Sequence, residues 1–342
     1  MTSENAKIFF ESHFGEKASE FVTLAQSGSA RVNFRAENKT GKYVITYNEN
    51  IRENESFIYF SEVFTELCLN TPQIYVVSDD RKLYIQEYLG NPTLSEVISK
   101  EGLSENVKSL VKQTLEKLFL LQTRTQDKID FGKTFEYENY DELPVMHDLY
   151  YFKNFVADVL ELEYHKSGLL KEFKKIVNLI ENTEPKGLMI RDFQARNIMV
   201  NDNNEVSFID YQSAMKGPLM YDVVSFLFQA KANFTEKFKN EMLDFYIQQF
   251  ESEEIKIRLK RSVKPIQMMR FLQVLGAYGF RGLIQKKQHF VASMEKGIEN
   301  ITGFAETWQQ MNEYPELKKV IKQLSSDKTK LKIEEILNIT AN

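Results

Sequence analysis

Asp192 and Asn197 stand five residues apart, and Asp210 follows Asn197 by thirteen, closing an apolar run. Between them the chain reads Ile198-Met199-Val200, Asn201-Asp202-Asn203-Asn204, then Glu205-Val206-Ser207-Phe208-Ile209. Two short apolar runs around a polar turn predict a β-hairpin. Asparagine tolerates the φ > 0 of tight primed turns, so Asn203-Asn204 is the expected two-residue loop. That register sets Asp202 opposite Glu205 and Asn197 opposite Asp210, and a slip of one or two positions keeps both groups at the same open end. A carboxylate beside an amide oxygen makes a hard, oxygen-only site suited to Mg²⁺. Asp192 lies just upstream, placed to orient or deprotonate a hydroxyl. The chemistry this layout serves is phosphoryl transfer. Asp-x-x-x-x-Asn alone also arises from ordinary turn chemistry; spacing, hairpin and flanking sequence together favour the catalytic reading.

With Tyr211 to Pro218 and Tyr221-Asp222-Val223-Val224-Ser225, these residues resemble the phosphotransferase family of aminoglycoside phosphotransferases and choline kinases, relatives of the protein kinases. That family's catalytic loop is His-x-Asp-x-x-x-x-Asn, with a second Asp ending the next strand. Asp192, Asn197 and Asp210 match it one for one, whereas Ile190 stands where the family usually has His. Within the family, the stretch is similar to the cell-wall sugar kinases that phosphorylate N-acetylmuramate or N-acetylglucosamine at the anomeric hydroxyl. The match is dense over 189–230 and looser at 83–94 and 271–290. The resemblance implies an α+β, protein-kinase-like fold of two lobes, with ATP as co-substrate and Mg²⁺ as its metal. Asp192 would be catalytic, and Asn197 and Asp210 would hold the metal. Arg191 and Arg196 are read as braces of the loop.

The elements that must position these groups fall into two parts. Residues 5–25 read as a helix, with Ile8, Phe9, Phe10, Phe14, Ala18, Phe21, Val22 and Leu24 at roughly helical spacing. Residues 31–36, 42–47, 73–77 and 82–88 read as strands, and 51–69 as a helix. After Gly90-Asn91-Pro92, residues 104–126, 141–182 and 218–312 are mainly helical. A β-rich lobe, 1–89, joined to a mainly helical one, 90–342, implies a cleft between two lobes.

In the first lobe, Ser27-Gly28-Ser29 precedes a strand. Backbone N–H groups in such a turn can cradle phosphates, and the family keeps its phosphate-covering loop here; the other reading is a loop ending the first helix, with Gly28 as its cap. By the same resemblance, the connection holding Glu87 and Leu89 would hydrogen-bond the adenine edge. Protein kinases place a phosphate-binding lysine on the third strand, paired with a helix glutamate. Tyr43 to Tyr47 contains no lysine. Arg31, Arg35 and Lys42 are the candidate cations, each also readable as a solvated strand residue; Glu53, Glu55 and Glu62 are unranked partners.

The helical lobe should supply the acceptor pocket. Asp148, Arg270, Gln273 and Tyr278 are candidates, in segments mixing aromatic faces with polar groups and containing Gly276 and Gly279. Aromatic stripes at helical spacing also serve as plain core. The run Glu136, Glu138, Asp141, Glu142 and Asp148 leaves a cationic acceptor open.

The chain's 342 residues, 42% hydrophobic and 27% charged, suit a soluble globular protein with a large core. A net charge of −5 gives no footprint for nucleic acid or an anionic membrane. No apolar run has membrane-spanning length, and Met1 to Lys7 lacks a signal-peptide core. Cys68 is the single cysteine, which excludes an intrachain disulfide, and His13, His147, His165 and His289 show no zinc spacing. A cytoplasmic kinase of a small hydroxylated molecule is expected, an amino sugar first, an aminoglycoside or choline-like alcohol next. A nucleotide-binding regulator with little catalysis is the reading from another class.

Overall fold

The computed structural model describes residues 3–25 and 30–338. It divides into two compact units: Met1–Glu138 with Gly187–Lys216, and Asn139–Lys186 with Gly217–Asn342. Asp192, Asn197 and Asp210 all belong to the first.

The first unit opens with α1 (Ser3–Phe14), half the helix that the spacing predicts. Gly15, at φ +68°, ends it in the left-handed region that glycine enters without strain. The chain then becomes β1 (Glu20–Thr23), so Phe21 and Val22 belong to a strand rather than to a helix face, and Phe21 stacks on Phe34. β2 (Val32–Asn38) and β3 (Gly41–Tyr47) turn at Asn38, whose Oδ1 accepts the N–H groups of Thr40 and Gly41. With β4 (Ile74–Val77) and β5 (Leu83–Glu87) they form an antiparallel sheet in the order β1-β2-β3-β5-β4. Strand alternation sends Phe34, Ala36, Tyr43, Ile45, Leu83 and Ile85 to one face, where Ala6 and Phe10 of α1 cover them.

α2 (Ile51–Glu66) starts at Asn50, whose side chain accepts the Glu53 N–H, and buries Phe57, Ile58, Phe60 and Phe64. α3 (Leu94–Glu101) begins with a reciprocal Thr93–Glu96 capping box, and α4 (Glu105–Arg124) with Ser104. Further on, β6 (Lys186–Met189) pairs with β9 (Met215–Pro218), and β7 (Ile198–Val200) with β8 (Val206–Phe208).

The second unit is helical. α5 (Glu142–Phe152) runs into a π-helical turn, Lys153–Asp158, and α6 (Lys166–Glu181) follows. α7 (Met220–Leu227), α8 (Glu236–Gln248) and α9 (Glu253–Tyr278) come next, the last passing into a second π turn, Gly279–Ile284. α10 (Gln288–Thr307), α11 (Pro315–Leu324) and α12 (Asp327–Asn338) complete the chain. Gly276 lets α9 touch the α5 backbone at Tyr151 and Phe152, and Gly279 brings the two π turns together: a Cβ at Gly279 would lie 2.3 Å from the Phe155 carbonyl oxygen. Glu172 on α6 accepts the N–H groups of Glu316 and Leu317 at 2.9 and 2.8 Å, holding the α11 N-terminus. The antiparallel sheet and the larger helical part give the expected α+β class. Among the described residues, no helix is long and apolar enough to cross a membrane.

Candidate active site

Ile190, buried at the end of β6, leads into a three-residue turn in which the Asp192 N–H donates to the Ile190 carbonyl at 3.0 Å. Arg191 at its centre has φ +71°. Left-handed backbone costs a residue with a Cβ about 1–2 kcal/mol, and such strain persists where the surroundings over-determine it. Here Arg191 Nη1 reaches Glu136 Oε2 at 3.3 Å, with the guanidinium over the Tyr137 ring. Phe193 anchors the next residue edge-on against Phe208 of β8. Asn197, on a 3₁₀ turn, donates from Nδ2 to the Asp192 carbonyl oxygen at 2.8 Å and closes the loop. Arg196 Nη2 donates to Asp192 Oδ2 at 2.6 Å, leaving the Asp192 side chain 38% exposed. A carboxylate on a stiff loop, open to solvent and held by one guanidinium, is suited to receiving a hydroxyl.

The hairpin forms with its register one residue away from the expectation. Ile198 pairs with Phe208 and Val200 with Val206, and the Ile209 N–H donates to the Asn197 carbonyl at 3.0 Å. Asn197 therefore faces Ile209, not Asp210, and Asn201 faces Glu205. The loop has three residues, Asp202 to Asn204, because the Asn201 side chain accepts the N–H groups of both Asn203 and Glu205. Asn204, at φ +57°, takes the left-handed position that closes such loops. α4 fixes the hairpin from outside: Gln113 bonds to Asn204 and Val206, and Lys117 Nζ donates to the Val206 carbonyl at 2.8 Å. Gly90, at φ +99°, passes close by; a Cβ there would sit 3.2 Å from Asn201 Cα.

Asp210 follows at the open end with φ +66°. Its Oδ1 accepts from Arg31 Nη2 and, at 3.1 Å, from Gln212 Nε2. Burial pushes the carboxyl up, but the charge and hydrogen bond of Arg31, then Gln212 and the Arg196 charge, hold it below the usual Asp value. Burial likewise depresses Arg31, and Asp210, Tyr84 and Glu53 more than restore it. Arg31 Nε lies 3.5 Å from Glu53 Oε1, and Asn48 Nδ2 donates to Glu53 Oε2 at 2.8 Å. α2 also holds the chain beyond Asp210: Tyr211 stacks on Phe57 and shares a hydrogen bond with Ser61, and Ser56 Oγ donates to the Gln212 carbonyl at 2.8 Å.

Arg31 corrects the reading of a solvated strand residue. It stands just before β2, with its side chain 13% exposed and tied to two carboxylates. Arg35, paired with Glu20, and Lys42, 3.8 Å from Glu37, fit the plainer reading. The sequence offered Arg31 and Glu53 only as unranked candidates and gave Gln212 no role.

The donor set suits a hard cation. Asn197 commits its amide nitrogen to Asp192, which leaves the amide oxygen as its acceptor face. Gln212 Oε1, beside Asp210, is buried and meets no donor among the described residues. Among those residues no cluster of three His, Cys, Asp or Glu side chains could hold a metal. Few protein oxygens, completed by water and phosphate, is how Mg²⁺ is bound beside nucleotides.

The remaining candidates lie elsewhere. Ser27, Gly28 and Ser29 fall outside the described residues. Glu87 ends β5, its N–H donating to the Gln73 carbonyl at 2.9 Å, and the half-buried Leu89 follows it. In the second unit, Asp148 is buried and accepts from Tyr140 Oη at 2.9 Å. Arg270 is buried too, donating to Ser225 Oγ at 3.0 Å and to Gln273. Gln273 and Tyr278 are half-buried, and Tyr278 lies against Phe290.

Comparison with known proteins places this geometry in a family. The description "Phosphotransferase enzyme family" matches residues 25–262, more than half of the chain and all of the loop and hairpin. An N-acetylmuramate/N-acetylglucosamine kinase of Neisseria meningitidis serogroup B is 24% identical over 249 residues, 72% of this chain and 71% of the relative. A kinase of the same name from Pseudomonas putida is 22% identical over 281 residues, 79% of each. Among solved structures, the choline kinase of Streptococcus pneumoniae superposes with a TM-score of 0.60 at 12% identity, covering 88% of this chain and 99% of that one. An aminoglycoside phosphotransferase, solved with AMP-PNP and hygromycin B, gives 0.59 at 14% identity over 89% and 99%. These neighbours have the kinase-like α+β fold that the sequence resemblance implies, and the chain belongs to the phosphotransferase enzyme family.

Proposed function

We propose that the protein transfers the γ-phosphoryl group of ATP, with Mg²⁺, to a hydroxyl of a small amino sugar of the N-acetylmuramate or N-acetylglucosamine type. The observation that carries this reading is the loop in which Asn197 bonds to the Asp192 backbone while Arg196 holds the Asp192 carboxylate, ending beside Asp210. Asp192 orients the acceptor hydroxyl and takes its proton. Asp210 and the Asn197 amide oxygen would hold the metal, which supplies charge neutralisation at the transferring phosphate. Lobes 1–89 and 90–342, phosphate covering by Ser27, Gly28 and Ser29, adenine contact at Glu87 and Leu89, and a cytoplasmic location belong to the same proposal.

The relatives' names support an amino sugar, and three of the five acids in the 136–148 run are already engaged, which weakens the case for a polycation. Buried ammonium groups need unengaged carboxylates around them. Glu136 already pairs with Arg191, Asp141 caps α5 by accepting the Leu143 N–H, and Asp148 accepts from Tyr140. Of the acceptor candidates, Gln273 and Tyr278 keep surface to offer, whereas Asp148 and Arg270 are enclosed. The test is ADP release with N-acetylmuramate, N-acetylglucosamine, kanamycin and choline side by side. Release with the N-acetylated sugars well above the ATPase background is expected. Preference for kanamycin or choline would overturn the sugar assignment, and nucleotide binding without ADP release would put the regulatory reading first.

A further inference from the structure

We propose that Arg31 is the cation that receives the nucleotide's phosphates, and that without nucleotide it stands in for the metal at Asp210. The inference rests on the nucleotide-binding reading above and names the cation that β3 does not supply. Lys42 on β3 points to Glu37 with its side chain 49% exposed, and Arg35 is tied to Glu20 at 2.6 Å. Arg31 alone of the three candidates bonds the carboxylate proposed to bind metal.

Its two carboxylate partners, Glu53 and Asp210, differ: one is permanent and one exchangeable. Glu53 is the permanent one: it sits in the first turn of α2, takes the Asn48 amide on its second oxygen at 2.8 Å, and does not face a proposed metal ligand role. Asp210 is the exchangeable one. The Asp210 carboxylate, once shared with a divalent cation, would hold the guanidinium less strongly. Phosphate oxygens arriving with that cation would offer the paired acceptors that the planar guanidinium fork fits. The exchange needs no proton transfer, because arginine keeps its charge throughout the working pH range. Until it happens, Arg31 neutralises Asp210 in a half-buried position where a lone carboxylate is costly.

The test measures binding by calorimetry for wild type, Arg31→Met and Arg31→Lys, using MgATP, ATP without metal, adenosine and Mn²⁺ alone. A hydrogen-bonded charge pair lost from Arg31→Met should weaken MgATP by about tenfold or more. Adenosine should bind as in wild type, and Mn²⁺ alone no more weakly, since its competitor on Asp210 is gone. Arg31→Lys, with the charge but not the fork, should fall between. A second arm needs no folded Met variant: in nitrogen-labelled wild type, the Arg31 Nε–H resonance, assigned with Arg31→Lys, should move with MgATP and not with adenosine. MgATP affinity unchanged in Arg31→Met, an equal loss for adenosine, or an Arg31 resonance indifferent to MgATP would each overturn the proposal. Wild type that binds no MgATP would overturn the nucleotide-binding reading itself.

Discussion

Asp192 carries its carboxylate at the surface, held by Arg196 and by a loop that Asn197 closes through the backbone. Replacing it with Asn keeps the shape and removes the proposed base. Asp192→Asn should lower kcat by about 10²–10⁴-fold while melting temperature and MgATP affinity stay near wild type. Turnover within a few-fold of wild type would remove Asp192 from the mechanism. Asp210 makes a different prediction, because its carboxyl is held below the ordinary 3.8 by Arg31 against the opposing effect of burial. A depressed carboxyl stabilises the fold above its unfolded pKa and loses that contribution as pH falls through the folded value. Wild type should therefore exceed Asp210→Asn in melting temperature near neutral pH, and the gap should close as pH drops below 3.8. A gap independent of pH would contradict the Arg31–Asp210 pairing. At this scale the sequence displayed Asp192, Asn197 and Asp210 because their spacing is local. The Arg31–Asp210 bond spans 179 residues, and nothing local ranks Glu53 above Glu55 or Glu62.

Elements were legible where the period was long and the punctuation strong. The sheet strands and α2 follow their apolar patterns within a few residues. The helix over 5–25 failed because Gly15 stops it in the left-handed region and tertiary pairing with β2 recruits Phe21 and Val22 into β1. Hairpin register slipped by one because the Asn201 side chain captures two loop N–H groups, a choice that alternation alone does not contain. Gly276 and Gly279 were read as allowing close approach, and what approaches is the backbone of α5 and of the π turn that follows it. Gly279→Ala would press a Cβ into the Phe155 carbonyl at 2.3 Å. Overpacking of this kind typically costs about 1–3 kcal/mol, more where backbone must move. Gly303, exposed in α10 with nothing within 4 Å of its added Cβ, is the control. Gly303→Ala should raise stability by up to about 1 kcal/mol through helix propensity. Urea denaturation checks both, and a Gly279→Ala variant as stable as wild type would contradict the packing.

For the whole molecule, family membership was legible because the residues that match the family's pattern lie in one contiguous stretch, 189–230, and the family match includes it. Acceptor identity was not, because the residues proposed for it are scattered over helices, where burial decides their role. Asp148 and Arg270 looked polar and available in sequence but are enclosed by Tyr140, Ser225 and Gln273. If the enclosed pair shapes the fold rather than the pocket, Gln273→Ala should raise KM for the sugar and lower the melting temperature by less than Arg270→Ala does, because it removes only one acceptor of the buried guanidinium. Arg270→Ala should lower the melting temperature more, since it strands buried hydrogen-bonding groups. The reverse pattern would move the acceptor contacts to Arg270.

The most direct measurement of the account is phosphorus NMR of N-acetylglucosamine or N-acetylmuramate incubated with MgATP and either wild type or Asp192→Asn. Wild type should yield a sugar phosphomonoester coupled to the anomeric proton as the γ-phosphate signal of ATP disappears, and Asp192→Asn should yield none on the same timescale. Equal product from both proteins, or loss of the γ-phosphate only to inorganic phosphate, would contradict transfer from ATP to a sugar hydroxyl oriented by Asp192.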